Sequence, residues 1–293
     1  MPLPRLGVVV VTMGTRPREL EALLASVERQ DVPATRVVLV GNATPLTDVD
    51  VAANVAKVPL EQNLGCPGGR NVGLEKLRES GEVDVVIELD DDGLLIDAGV
   101  FGRVQQLFAE DPALGVIGFR VADEHGHTER RWVPRLRADD PMRRGLVTAF
   151  LGGGHAFSMP MLRQIDLWPA EFFFGHEESD LAWRALDAGW KILYEPELVL
   201  QHPTTSPARH AVYYRFTARN RVWLARRRLP VPLIPVYLGV WIVLAMARMR
   251  SLTGLKAWWS GFVEGVRAPC GLRKPMKWRT VWRMTRLGRP PVL

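Results

Sequence analysis

Residues 83–93 read VDVVIELDDDG: an apolar, β-branched run that ends in three consecutive carboxylates and a glycine. Such a run reads as a buried strand. Its carboxyl end then presents Asp90, Asp91 and Asp92 where parallel α/β sheets bind their ligands. Like charges this close repel unless a cation holds them. Hard oxygen donors suit Mg²⁺ or Mn²⁺, bridging to a substrate diphosphate. A solvated turn would ask for only one Asp at this place.

Two further β-branched runs, 7–11 and 36–40, precede it, and helix-like stretches at 18–29 and 70–79 lie between the runs. This alternation predicts βαβ units. The expected fold class is α/β, a Rossmann-like, mostly parallel sheet flanked by helices. Short strands are expected at 114–120 and 190–194, and Gly189 stands where a helix over 180–188 would end. With 293 residues and 47% apolar content, the chain can bury one catalytic-size core and still carry an appendage. Cys66 and Cys270 lack the close spacing of a zinc site or a disulfide framework, which fits a reducing cytoplasm. The opening MPLPRLGVVVVT reads as a first strand rather than a secretory signal.

Charge divides the chain. Residues 1–203 hold 20 Lys/Arg against 31 Asp/Glu, a net −11, whereas residues 204–293 hold 18 Lys/Arg and one acid, Glu264, a net +17. The second segment also contains six of the ten tryptophans. A catalytic domain over 1–203, its nucleotide half near 1–120 and its acceptor half near 121–203, is therefore expected to precede a basic, helical region over 204–293. That region needs an anionic partner. Residues 229–247 carry no charge, but Pro230, Pro232 and Pro235 delay a regular helix until near Pro235. It must then reach Arg248 in about 12 residues, ~18 Å of rise, against the ~30 Å of a bilayer core. An interfacial or re-entrant helix fits this length, with Trp258, Trp259, Trp278 and Trp282 as headgroup-level anchors. A buried helix packed on the domain is the alternative.

Three more constellations carry possible chemistry. Glu177, Glu178 and Asp180 follow an aromatic run, 172–174, and open an amphipathic helix with Arg184. A carboxylate there can take a proton from an attacking alcohol beside a dry, cation-charged site; helix capping is the plainer use of the same acids. The glycine-rich turn with Asn63, Gly65, Gly68, Gly69, Arg70, Asn71 and Gly73 opens a helix where backbone N–H groups and Arg70 can approach a phosphate. His202 closes the acidic segment, placed to return to the cation as a nitrogen ligand.

In this order the motifs resemble glycosyltransferase family 2, particularly its bacterial rhamnosyl- and galactofuranosyltransferase-like branch. The resemblance runs over residues 6–228: the strand ending at Thr12, the glycine-rich turn, the Asp triplet, glycines 152–154, EESDLAWR from Glu177, GWKILYEP from Gly189, His202 and YYRFTARNR from Tyr213. It implies a GT-A fold and an inverting, in-line displacement that moves a sugar from a nucleotide-sugar to a hydroxyl acceptor; the basic tail is the reason to expect that acceptor to be lipid-linked. It implies Glu178 as the base, with Glu177 and Asp180 shaping the acceptor or sugar pocket, and Asp90, Asp92 and His202 as ligands of Mn²⁺ or Mg²⁺. The candidate donor-binding set is Thr12, Gly14, Arg16, Asn42, Asn63, Gly68, Arg70, Asn71, Asp90, Asp91 and Gly153. The expected location is cytoplasmic, on the inner face of the cell membrane, with no nucleic-acid partner.

Two departures stand out. Where the family usually has an Asp-Asn pair at the end of the second strand, this chain has Gly41-Asn42. Glu178 stands in place of the commoner Asp, one methylene longer, which shifts the base by about 1 Å unless the backbone compensates. A sugar nucleotidyltransferase, echoed in Thr12-Met13-Gly14-Thr15-Arg16, and a basic nucleic-acid-binding protein are the rival readings.

Overall fold

The computed structural model describes residues 2–136, 140–203 and 211–293. The amino-terminal half runs β1 (Leu6–Thr12), α1 (Pro17–Glu28), β2 (Arg36–Gly41), β3 (Val55–Pro59), α2 (Gly65–Ser80), β4 (Val85–Asp90), β5 (Leu94–Leu95), α3 (Val100–Glu110) and β6 (Leu114–Ala122). It continues through β7 (Gly145–Leu146), β8 (Gly154–Ser158), α4 (Met159–Ile165), α5 (Glu177–Asp187) and β9 (Lys191–Gln201). Four helices follow: α6 (Ala211–Arg228), α7 (Leu233–Arg248), α8 (Leu252–Arg267) and α9 (Trp278–Arg286).

The strands form one sheet in the order β3-β2-β1-β4-β8-β6-β9-β5, with β7 also on β9. From β3 to β4 every pair is parallel, as the βαβ pattern predicts. Beyond β4 the sheet is mixed, because β8 enters antiparallel between β4 and β6. Successive residues of β1 and β2 serve opposite faces. Val9, Val38 and Val40 join Leu74 and Leu77 of α2 and Leu181 of α5 in one core. Val8, Val10, Val37 and Leu39 meet Leu20 and Leu23 of α1 and Phe101 of α3 in the other. Covered on both sides, these strands read as continuous apolar runs.

The carboxyl-terminal helices pack onto this body. Trp223, Leu224 and Met284 belong to the same core as α2 and α5. Helix α8 lies against α6 at glycines: a Cβ on Gly261 would overlap the Arg215 carbonyl oxygen, and one on Gly265 would come within 2.8 Å of that of Arg219. Helix α7 starts at Leu233, slightly before the expected Pro235, since the first helical turn needs no N–H partners and tolerates the proline. Tyr237 on α7 is buried, while Val236, Val243 and Met246 are exposed. Its 16 residues rise only ~24 Å. Among the described residues, no helix is long and apolar enough to cross a membrane.

Candidate active site

Strand β4 delivers Asp90 to the carboxyl edge of the sheet, and the turn that follows presents Asp91 and Asp92. His202 follows β9 directly, its backbone N–H bonded to the Ala122 carbonyl at the end of β6. Two strands that β8 and β6 separate in the sheet thereby bring Asp90, Asp92 and His202 together, with one ligand atom of each within 4.8 Å of the others. Asp92 is 7% exposed. Its Oδ1 is 3.2 Å from His202 Nε2 and its Oδ2 2.5 Å from Arg16 Nη1. Burial works to raise the Asp92 carboxyl, but the His202 hydrogen bond and charge, with Arg16, hold it below its ordinary value. The same hydrogen bond raises the His202 imidazole. Two carboxylates and an imidazole suit Mn²⁺ or Mg²⁺ in donor chemistry and spacing.

Asp91 plays a different part. Thr12 Oγ1 donates to it at 2.6 Å, tying β1 to the turn after β4, and Arg16 stands 3.4 Å away. Burial raises its carboxyl. The Gly14 N–H donates to Thr12 Oγ1 and completes this corner.

Arg70, on α2, is buried and donates to Asp90 Oδ1 at 2.7 Å and to the Gly152 carbonyl at 2.6 Å. Gly152 marks the junction of the two constellations. The position of a Cβ there lies 2.5 Å from Glu178 Oε1 and 3.5 Å from Arg70 Nη1. At Gly153 the same position lies 3.5 Å from Asp90 Oδ2 and 3.9 Å from His202 Cδ2. The Gly152-Gly153 backbone therefore lies beside both the candidate base and the acidic cluster, and a Cβ at Gly152 would displace the Glu178 carboxylate. Burial pushes the Glu178 carboxyl above the usual carboxylate range, with Arg70 opposing. Glu177 is raised as well, by burial and then by the charge of Glu178.

Several candidates hold the scaffold together. Both Asp180 oxygens are engaged by guanidinium groups, from Arg184 at 2.8 Å and Arg228 at 2.6 Å, so Asp180 pins α5 to α6, in the wall of a cavity that Arg184 and Arg228 also line. Asn71 exchanges two hydrogen bonds with the Trp168 backbone, which leaves its amide committed away from a donor. Asn42 is buried and braces the turn before α2, accepting from the Leu64 N–H and donating to Asn63 and the Gly65 carbonyl. Its amide is occupied by the chain itself. Gly68 lets that turn close on Leu64.

Residues that sequence reasoning passed over hold the site in place. On β4, buried Glu88 accepts from Trp168 Nε1 and faces His155 Nε2 at 2.7 Å. His155 Nδ1 meets the Leu151 carbonyl, which only accepts, so Nδ1 holds a proton. The network braces the 152–154 loop from behind. On α6, Asn220 donates to the carbonyls of Phe172, Phe174 and Gly175, and Arg219 to those of Glu171 and Phe172. This clamp shapes the segment before Glu177, where Phe173 and His176 take positive φ. The Arg-Asn pair within YYRFTARNR is the signal for it, though only its repeated hydrogen-bonding capacity shows there.

Solved structures resemble this fold at low identity. GalNAc-T7 with UDP, GalNAc and Mn²⁺ aligns with a TM-score of 0.65 at 16% identity, over 90% of this chain and 56% of that one. The chain thus spans little more than half the length of that structure. S. aureus TarS 1-349 aligns at 0.62 and 18% identity, over 90% and 81%. The mannosyltransferase PcManGT from Pyrobaculum calidifontis, with GDP-Man and Mn²⁺, aligns at 0.55 and 18%, over 98% and 85%. These likenesses establish the GT-A fold expected from the sequence. No curated protein matches the sequence. The model of Glycosyl transferase family 2 matches residues 8–166, which contain the Asp triplet, Arg70 and the 152–154 loop, and the chain belongs to that family.

Proposed function

We propose that the protein is an inverting, metal-dependent glycosyltransferase that moves a sugar from a nucleotide-sugar to a hydroxyl acceptor, a lipid-linked glycan or cell-envelope polysaccharide precursor. The convergence of Asp90, Asp92 and His202 beside the Gly152-Gly153 backbone that Glu178 reaches carries the reading. Asp90, Asp92 and His202 would hold Mn²⁺ or Mg²⁺, which when bound neutralises the departing nucleoside diphosphate. Glu178, its carboxyl raised above the ordinary value by burial, accepts the acceptor's hydroxyl proton as oxygen attacks C1. Buried Arg70 keeps Asp90 and the 152–154 loop in register. Arg16, 44% exposed at its side chain, is free to turn from Asp92 toward the donor phosphates. The motif order supports placing it in the rhamnosyl- and galactofuranosyltransferase-like branch.

The acidic domain, 1–203, acts on the donor, and the basic region, 204–293, brings it to a membrane on the cytoplasmic side. Trp278 and Trp282, one helical turn apart on α9, are 49% and 61% exposed among arginines. An anionic leaflet complements that surface. Purified full-length protein with Mn²⁺ and a panel of nucleotide-sugars tests the reading. Release of nucleoside diphosphate on adding acceptor supports it. Pyrophosphate formed from a nucleoside triphosphate and a sugar phosphate would replace it with nucleotidyl transfer.

A further inference from the structure

A cavity of about 140 Å³ lies between the β7–β8 connection, the first turn of α5, helices α6 and α7, and the segment after α9. Arg221, Arg289, His176, Thr148, Ser179 and Trp241 line it, and its walls contain no Asp or Glu. Three of these groups lack partners inside the protein: Thr148 Oγ1, His176 Nε2 and Trp241 Nε1 are buried without a hydrogen bond. Thr148 is only 2% exposed. The Arg221 guanidinium sits 3.3 Å over the Trp241 ring, with the Tyr237 phenol in the same wall. Among the described residues, no carboxylate forms an ion pair with Arg221 or Arg289.

Interiors satisfy their polar atoms and pair their charges, because an orphaned donor or an unpaired cation away from water is costly. Here two cations and several orphaned groups face one space. Burial, and then the two arginines, hold the His176 imidazole well below its ordinary value, so that ring is neutral. The two guanidinium groups remain positive, and the α-carboxylate of Leu293, also in the wall, forms an ion pair with neither. The guanidinium and indole groups only donate hydrogen bonds, and an ionised phosphate only accepts them.

We infer that this cavity binds a phosphate group, in which a dianion matches Arg221 and Arg289 and the Thr148 and Ser179 hydroxyls and Trp241 N–H complete the oxygen contacts. A carboxylate would leave one guanidinium unmatched. His176 and Ser179 bracket Glu177 and Glu178 on the chain, so the bound phosphate lies within a turn of helix from the candidate base. If the transferase reading above holds, on which this assignment of source rests, the phosphate belongs to the acceptor and seats its hydroxyl toward Glu178. Free inorganic phosphate is the other source of the same chemistry.

Titration of inorganic phosphate into the full chain, with EDTA present and chloride as control, tests the site without donor or metal. Saturable binding is expected, weakened at least tenfold by Thr148→Val, which keeps volume but removes the hydroxyl, and by Arg289→Gln. Absent saturable binding in the unsubstituted protein, or equal affinity in both folded variants, overturns the proposal. If Arg289→Gln does not fold, Thr148→Val decides. Phosphate that competes with a phosphorylated acceptor, together with loss of the preference for that acceptor over its dephosphorylated form in Arg289→Gln, assigns the site to the acceptor. Phosphate binding without such competition assigns it to the free ion. Failure to turn over any nucleotide-sugar would sink the transferase reading alone, since the titration is read independently.

Discussion

His202 Nε2 stands 3.2 Å from Asp92 Oδ1, a contact that joins the residue after β9 to the turn after β4. Outer partners of metal ligands are worth roughly 10–100-fold in metal affinity, and loss of a ligand costs at least as much. Asp92→Asn and His202→Ala are each expected to weaken Mn²⁺-dependent donor binding by at least ~10-fold. Thermal shift with a nucleotide-sugar panel, with and without Mn²⁺, reads this. Metal-dependent stabilisation that survives both substitutions would show that the cluster binds no cation.

Glu178→Gln removes proton acceptance at nearly constant volume. Turnover should fall by ~10²–10⁴-fold, while donor affinity stays within about twofold because the amide keeps the shape of the carboxylate. Steady-state rates paired with calorimetric donor titration separate the two effects. Unimpaired turnover would remove Glu178 from the mechanism.

Burial raises the Glu178 carboxyl, and only its deprotonated form can take a proton. The rate should therefore climb with pH through the raised value, with its acid limb above the ~4.3 of a free glutamate. For stability the sign is opposite. A carboxyl raised in the folded state stabilises the fold below its unfolded value, and that contribution is lost as pH rises through the raised folded value. Glu178→Gln should hence lose the acid limb in kcat and narrow the loss of stability toward neutral pH. A pH–rate profile and urea melts across pH 4 to 8 check both.

Asn220→Ala would leave the carbonyls of Phe172, Phe174 and Gly175 without the amide that gathers them. The expected loss is about 2–4 kcal/mol of stability, together with a fall in kcat while donor binding holds. Urea unfolding gives the first and kinetics the second. A stable variant with unchanged kcat would mean that the loop keeps its shape unaided.

Paired replacement of Trp278 and Trp282 by Ser should reduce co-sedimentation with anionic liposomes roughly tenfold or more and leave the melting temperature nearly unchanged, because both rings are largely exposed. Undiminished sedimentation would place the contact elsewhere.

Much of this was legible in the sequence. Runs such as 7–11 and 36–40 read as strands because both their faces are covered, and Asp90–Asp92 stood out because three acids after a buried run have little structural use. Strand β8, GHAFS, was missed: a glycine and a histidine interrupt its apolar pattern, and the partner of that histidine, Glu88, lies on another strand. Asp180 and Asp92 look alike in sequence. Only the fold shows that Arg184 and Arg228 engage the first while the second sits near His202. The cavity between Arg221 and Arg289 is invisible in the sequence because its walls come from five separated segments.

The Arg219 and Asn220 clamp also bears on how such a protein can be rebuilt. The clamp on α6 and the exposed tryptophans of α9 both lie after residue 203, so a chimaera exchanging everything after that residue would import a foreign grip on the loop before the candidate base. Exchanging the basic region is thereby coupled to the shape of that loop, and the boundary suggested by charge is a poor place to cut.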